Sequence, residues 1–309
     1  MKITIEIDGK KIEVEKNTTI IAAADKAGIP IPRFCYHKKL SIAANCRMCL
    51  VDVEKFNNPK PACATLVADG MKVSTQSKMA IEAQQSVMEF LLINHPLDCP
   101  ICDQAGECHL QDLGYEHGSA KTRYREERRT FDPIDIGNKI KLHMNRCILC
   151  YRCVHVANQL TDSRVHGVMH RGEHAEISTY IENAVENDFS GNMIDVCPVG
   201  ALTDKTFRFK SRVWFLKPME AECACTKCSG KAVVWMFGNE IYRVTARKDK
   251  YGEVEDIEDK TAWICNDCRF EKKDASAWNI TGPRKIDRHS VISQGKYATK
   301  IEKGLNKIG

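Results

Sequence analysis

The chain opens on strict alternation: Ile3, Ile5 and Ile7 are separated by Thr4 and Glu6, the period of a strand with one buried face. Asp8-Gly9 is a hairpin turn signal, and Ile12 and Val14 resume the alternation on a second strand. Residues 17–19 then offer a helix cap before the apolar run 20–24, and Gly28 stops that helix. A further strand is predicted over 50–53. Over 77–94 the period becomes helical, with Ala80, Ala83, Val87 and Leu91 on one stripe and Gln84, Gln85 and Glu89 elsewhere, until Pro96 ends the helix. Residues 116–141, with RYREERRT among them, are polar and poorly periodic, and read as a connection or as a surface for a partner subunit. Alternation returns in KAVVWMFGNEIYRVTAR, a predicted hairpin turning at Gly238-Asn239. Beyond Cys268 the chain turns basic and irregular, and the stretch 273–309 is expected to be disordered or laid on a partner.

Cysteines occupy the connections between these elements. The chain has 16 of them, and they gather in four groups with metal-ligand spacing. The first is Cys35, Cys46, Cys49 and Cys63; the second, with a histidine ahead of it, is His95, Cys99, Cys102 and Cys108. The third is Cys147, Cys150, Cys153 and the more distant Cys197, and the fourth draws on Cys223, Cys225, Cys228, Cys265 and Cys268. Disulfides are the competing use of so many thiols. The charged, alternating N-terminus has no apolar core or small-residue cleavage site and so does not read as a secretory signal. Thiols kept in the cell stay reduced, and CxxC pairs there point to metal ligation. Apolar runs such as 232–237 fall far short of the roughly 18 residues of a membrane span. The expectation is a soluble intracellular protein that meets a membrane only through a partner.

Each group has its own chemistry. A hairpin, a helix, a cysteine loop and another strand are the order of a β-grasp ferredoxin, which holds a [2Fe-2S] cluster. Plant-type ferredoxins place four residues between their first two cysteines; this chain places ten, while keeping a CRMC core. A zinc site on a small β domain is the alternative. In the second group three cysteines need a fourth ligand, and spacing alone leaves His95, His109 and His117 open. The third group supplies three thiolates from one CxxCxxC turn, and the CP cysteine, Cys197, closes a [4Fe-4S] cubane. Arg146 and Arg152 flank these thiolates and can offset cluster charge. In the fourth group, two CxxC pairs bracket the predicted hairpin and suit a zinc ribbon. Cys225, Cys228, Cys265 and Cys268 are the economical ligand set there, with Cys223 left over.

Two strings carry a resemblance. NHPLDCPICDQAGEC resembles the His(Cys)3-ligated [4Fe-4S] signature of the large iron–sulfur subunit of NADH-quinone oxidoreductase, respiratory complex I. MNRCILCYRCVH, completed by DVCPVGAL, is similar to the same family's following [4Fe-4S] motif. With the β-grasp segment the likeness covers about residues 1–213, in the family's order. It implies His95 as the ligand of the second group and two [4Fe-4S] clusters beside the [2Fe-2S]. It also implies a third [4Fe-4S] in the fourth group, although Ala232 stands where that pattern, C-x2-C-x3-C, has a cysteine. The implied fold class is α+β: a β-grasp [2Fe-2S] ferredoxin domain (1–78), a helical His(Cys)3 [4Fe-4S] segment (79–118), a ferredoxin-like [4Fe-4S] domain (119–213), a small β-hairpin metal domain (214–272) and a basic tail (273–309). Family members commonly continue into a molybdopterin-enzyme-like domain, so the chain resembles a short form. The implied role is electron transfer, with no active site of its own. Its partners would be a flavin-bearing NADH dehydrogenase subunit and quinone-linked iron–sulfur subunits of complex I. It would lie on the cytoplasmic face of the inner membrane.

Charge changes little. The formal +5 omits the cofactors, which would add about seven negative charges and leave the holoprotein near −2, so the basic balance is no argument for nucleic acid. No GxGxxG follows a strand and no phosphate loop is present, so nucleotide binding is not visible. The competing readings are the diaphorase iron–sulfur subunit of a soluble hydrogenase or formate dehydrogenase, and a multi-zinc binding protein.

Overall fold

The computed structural model describes residues 2–119, 121–161, 166–180, 185, 187–247 and 263–284. Strands β1 (Lys2–Ile7) and β2 (Lys10–Glu15) form the expected antiparallel hairpin, with Ile5 opposite Ile12. Its turn uses positive φ at Asp8 (48°) and Gly9 (81°), which asparagine-like residues and glycine tolerate best. Helix α1 (Ile20–Lys26) begins where Thr19 accepts a hydrogen bond from the Ala22 amide, and Gly28 leaves it at φ +73°. Strands β3 (Leu50–Val53), β4 (Lys60–Pro61) and β5 (Lys72–Ser74) complete a five-stranded sheet, β2-β1-β5-β3-β4. β1 and β5 are its parallel pair. Ile20, Ile21, Ala23 and Ala24 of α1 pack with Ile3, Ile5, Ile7, Val51 and Val73 in one core.

Helix α2 (Lys78–Asn94) is capped by Ser77, whose side chain accepts from the Ala80 amide, but the buried stripe is Ala80, Gln84 and Met88, not the one read from hydrophobicity. Gln84 is drawn inward because its side-chain amide donates to the Leu50 carbonyl at 3.0 Å, and Val87 and Leu91 are left half-buried beside the core. A polar residue that buries itself to satisfy a backbone acceptor is invisible to an apolar count.

Helix α3 (His109–His117) follows the second cysteine loop. The stretch 116–141 is not a connection throughout: β6 (Ile134–Asp135) and β7 (Ile140–Leu142) join a later strand in a small sheet. Next come α4 (Arg152–Gln159), the ribbon of β8 (His166–Met169) and β9 (Glu176–Thr179), α5 (Asn192–Val196) and β10 (Leu202–Asp204), which pairs with β7. One core runs through this region and into the first. Met88, Leu110, Ile140, Val156, Met193 and Val196 share it with Phe34 and Met48 of the first cysteine loop.

The predicted hairpin is present, but it is half of a larger unit. β11 (Lys217–Glu222), β12 (Lys231–Phe237), β13 (Glu240–Thr245) and β14 (Asn279–Pro283) form an antiparallel sheet in the order β13-β12-β11-β14. The beginning of the basic tail is therefore not loose. Trp278 donates its indole N–H to the Lys272 carbonyl at 2.7 Å, and β14 satisfies the outer edge of β11. Residues 285–309 lie outside the described residues. Among those described, no helix is long and apolar enough to cross a membrane.

His166, at the start of β8, is 1% exposed, and neither ring nitrogen has a hydrogen-bond partner among the described residues. Burial pushes its pKa down to about 4 from 6.5. The unfolded chain takes up the proton first, so the stability held above pH 6.5 is lost as pH falls toward 4. Between pH 7 and pH 5 that loss is about 2 kcal/mol. His166→Leu should remove most of it, read as a flatter pH dependence of the denaturant midpoint. An unchanged slope would place the titration elsewhere.

Candidate metal centres

The first group lies in the loop between α1 and β3, with Cys63 just beyond β4. Ala44 and Arg47 take left-handed φ values of 52° and 59°, which curl the loop so that its amides face the sulfurs. The Cys35 N–H donates to Cys46 Sγ at 3.4 Å, and amides at Asn45 and Met48 favour the thiolates of Cys35 and Cys46 respectively. Cys35 touches Cys46 and Cys63, and Cys49 touches Cys63. Hydrogen bonds from Cys46 and Cys63 pull the Cys35 thiol far down, and Cys46 and Cys63 are pushed correspondingly up. Contacts within 35–46 and within 49–63 suit two irons with two thiolates each.

The second group wraps the end of α2. His95 caps that helix in extended conformation, and Cys99 opens the short turn Cys99–Ile101. The Cys102 amide closes the turn on the Cys99 carbonyl at 3.2 Å. Burial pushes His95 down to about 4, against the opposing pull of Asp98, and its Nδ1 is buried without a partner. A neutral imidazole with an orphaned nitrogen is what a metal ligand requires. His117 pairs instead with Glu116 at 3.8 Å, and His109 heads α3, its amide bound to the Pro198 carbonyl. Burial raises Cys102, and raises Cys108 to about 12.

In the third group Cys150, Cys153 and Cys197 are buried and Cys147 is half-buried. Cys147, Cys150, Cys153 and Cys197 are all raised, in each case chiefly by burial, Cys150 to about 12. Leu149 and Tyr151 adopt left-handed φ (51° and 64°), which turns the CxxCxxC segment in on itself. Amides point at the sulfurs: Leu149 at Cys147 (3.3 Å), Arg152 at Cys150, and Val199, Ala201 and Leu202 at Cys197. Four thiols in so dry a pocket are neutral alone, and a metal cluster supplies the positive charge that makes thiolates of them.

In the fourth group Cys225 and Cys228 sit between β11 and β12, and Cys268 lies in a π-helical turn, Asp267–Glu271, with Cys265 just ahead of it. The ligand atoms of Cys225, Cys228, Cys265 and Cys268 all lie within 4.8 Å of one another. Cys225 Sγ is 3.7 Å from Cys265 Sγ, and Cys228 Sγ is 3.8 Å from Cys268 Sγ. Cys223, left over in the sequence, is also present at the rim: its sulfur is 3.4 Å from Cys268 Sγ. The Cys268 hydrogen bond lowers Cys228 to about 4 and pushes Cys268 itself up.

The sites touch in an order that differs from the sequence. Buried Arg152 donates to the carbonyls of Tyr36, beside Cys35, and Val196, beside Cys197, so it joins the first site to the third. Gly200 joins the third to the second: a Cβ there would stand 2.2 Å from Cys102 Sγ, so no other residue permits this approach. Arg146, next to Cys147, donates from Nε and Nη2 to Asp98 at 2.9 and 2.5 Å, across the same seam. The fourth site meets the third through α5, where Arg269 pairs with Asp195 at 2.5 Å. Sequence neighbours pointed to Arg146 and Arg152. Nothing nearby pointed to Arg269, because its partner lies 74 residues away.

Comparison with known proteins follows the same segments. Residues 1–78 match a family model described as a 2Fe-2S iron-sulfur cluster binding domain. Residues 84–123 match the NADH-ubiquinone oxidoreductase-G iron-sulfur binding region, and 137–203 the ferredoxin-like domain of NADH-quinone oxidoreductase subunit 3. The G subunit of NADH-quinone oxidoreductase from Rickettsia bellii is 43% identical over 273 residues, 88% of this chain and 40% of that protein. The chain belongs to the G-subunit family of NADH-quinone oxidoreductase. The NADH-ubiquinone oxidoreductase 75 kDa subunit of Reclinomonas americana is 44% identical over 307 residues, 99% of this chain and 42% of the relative. The chain thus spans about two fifths of the length of these curated family members. Iron–sulfur groups of the 2Fe-2S and 4Fe-4S types are the cofactors of this family's matched regions. A crystal structure of an NAD+-reducing [NiFe]-hydrogenase in the H2-reduced state superposes with a TM-score of 0.61 at 24% identity, covering 68% of this chain and 91% of that one, a likeness of fold.

Proposed function

We propose that the chain is an electron relay of a complex I-type assembly, taking electrons from a flavin-bearing NADH-oxidising subunit and passing them toward quinone-linked iron–sulfur subunits. The assembly oxidises NADH; this chain has no active site of its own. It would lie on the cytoplasmic face of the inner membrane, held there through its partners. One observation carries the reading: each of the three ligand groups places at least one cysteine in or against one continuous core, and the third group meets both of the others through Arg152 and Gly200. The ligand sets are Cys35, Cys46, Cys49 and Cys63 for [2Fe-2S]; His95, Cys99, Cys102 and Cys108 for [4Fe-4S]; and Cys147, Cys150, Cys153 and Cys197 for the second [4Fe-4S].

The clusters, when bound, supply one-electron redox chemistry. The chain's own residues do the rest. Amides aimed at Cys35, Cys46, Cys147, Cys150 and Cys197 stabilise thiolate charge. Arg146 and Arg152 bring cationic groups beside the second and third sites, and the enclosing core keeps water from the thiolates. His95 contributes a neutral ligand where the other sites have thiolates, leaving its site one charge less negative. Four units correspond to this division: 1–78, 79–118, 119–213, and a last one from 214 that runs to 284.

Anaerobically purified, reconstituted chain should hold about ten iron and ten acid-labile sulfide from these three sites, whereas a multi-zinc protein would be colourless. His95→Cys should keep a cluster with an altered EPR signal and a lower reduction potential, and His109→Ala should leave both unchanged. Loss of the signal in His109→Ala with His95→Ala unaffected would reverse the ligand assignment. Iron near two per chain would remove the relay altogether.

A further inference from the structure

We propose that Cys225, Cys228, Cys265 and Cys268 hold a single tetrahedral Zn2+ and not a further [4Fe-4S] cluster, so that this corner of the molecule fastens the fold and carries no electrons. The inference goes beyond the relay, which needs only the first three sites.

Sulfur spacing decides it. A zinc ion with four thiolates at about 2.3 Å sets them about 3.8 Å apart, the edge of the tetrahedron. The two closest cross-pairs of this group stand at 3.7 and 3.8 Å, and all four ligand atoms fall within 4.8 Å. In a cubane each thiolate sits on its own iron, and the intervening metal core keeps the sulfurs out of contact. Among the described residues, the 225–268 group alone gathers three or more ligand atoms so tightly.

The backbone agrees with a closed structural site. Each CxxC pair forms one knuckle, and the Gly230 amide points at Cys228 Sγ from 3.4 Å. Gly230 sits at φ +69° with the Cys223 carbonyl 2.2 Å from where a Cβ would be, so the first knuckle closes tightly on the end of β11. Cys223 N–H donates to the Gly230 carbonyl at 3.0 Å, completing that closure. The Cys223 thiol touches the group at Cys268, 3.4 Å away, and receives a contact from Lys272 Nζ at 3.8 Å. A tetrahedral ion has no fifth position for it. Zinc has no redox chemistry of its own; its contribution is to tie the loop between β11 and β12 to the segment that returns at 263.

Metal analysis of the full chain, purified anaerobically and reconstituted with iron and sulfide, tests this. One zinc per chain is expected beside the iron of the other sites, with zinc X-ray absorption reporting four sulfur neighbours. Cys265→Ser should lower zinc at least tenfold while iron and every EPR signal persist, and Cys223→Ser should keep the zinc. If Cys265→Ser does not fold, the absorption spectrum of the unaltered chain decides alone. Iron raised by about four per chain with an additional [4Fe-4S] signal and no zinc would overturn the proposal, as would zinc lost from Cys223→Ser but kept in Cys268→Ser. Zinc is read independently of iron, so failure of the relay reading would appear as missing iron with the zinc still in place.

Discussion

Cys197→Ser is expected to remove about four of the ten irons and to cut electron passage between the first and second sites. Cys197 reaches the third site from the end of α5, and its three amide contacts from Val199, Ala201 and Leu202 are aimed at one sulfur. A serine oxygen there is harder and shorter, and cannot bring the iron to the same point in an enclosed pocket. Because the third site lies between the others, its loss does more than lower a cofactor count. In the native assembly, the EPR signal of the [2Fe-2S] site should survive in the variant, while quinone-linked turnover falls at least a hundredfold. Turnover that persisted with the iron demonstrably gone would place the third site off the path and break the proposed order.

Asp195→Ala is expected to destabilise the protein by about 3–5 kcal/mol, the usual cost of removing one partner of a buried ion pair. The side chains of Asp195 and Arg269 are 3% and 2% exposed, and they join at 2.5 Å. Asp195 also accepts the Ala246 amide at 2.9 Å, and Arg269 donates to Asn192 at 3.2 Å. Without the carboxylate the guanidinium has neither water nor counter-charge. The double variant Asp195→Leu, Arg269→Met should recover most of the loss, since a well-packed apolar pair often replaces a buried ion pair at little cost. Denaturant midpoints of the metal-loaded chain give the comparison. A change under about 1 kcal/mol in Asp195→Ala would mean that water reaches the pair, as it does at surface pairs.

Legibility in the sequence followed how local each signal is. The β1–β2 hairpin, the Thr19 cap and the Gly238-Asn239 turn depend on neighbours a few residues apart, and periodicity with turn chemistry reached them. The cysteine groups stood out as candidates because chelation imposes short spacings, whereas spacing left the histidine of the second group open. Gln84 was misplaced because its partner, the Leu50 carbonyl, lies 34 residues back. β11 and β14 were missed for a related reason: KPMEAE carries three charges and a proline among six residues, and NITGP reads as a turn. Both become strands because β12 offers an edge to β11, and β11 to β14. The order first–third–second was beyond any linear reading, since it rests on Gly200 being small beside Cys102 and on Arg152 spanning 116 residues to Tyr36.

That reach of Arg152 bears on how the protein comes to exist. The contact closes a loop of more than a hundred residues beside the third group's thiols, and such distant closures come late because their entropy is lost before any contact repays it. On the relay reading, iron and sulfide would enter the third site most readily while Arg152 and the Tyr36 segment are still apart. The first site draws its four cysteines from residues 35–63 alone, so it could be filled earlier.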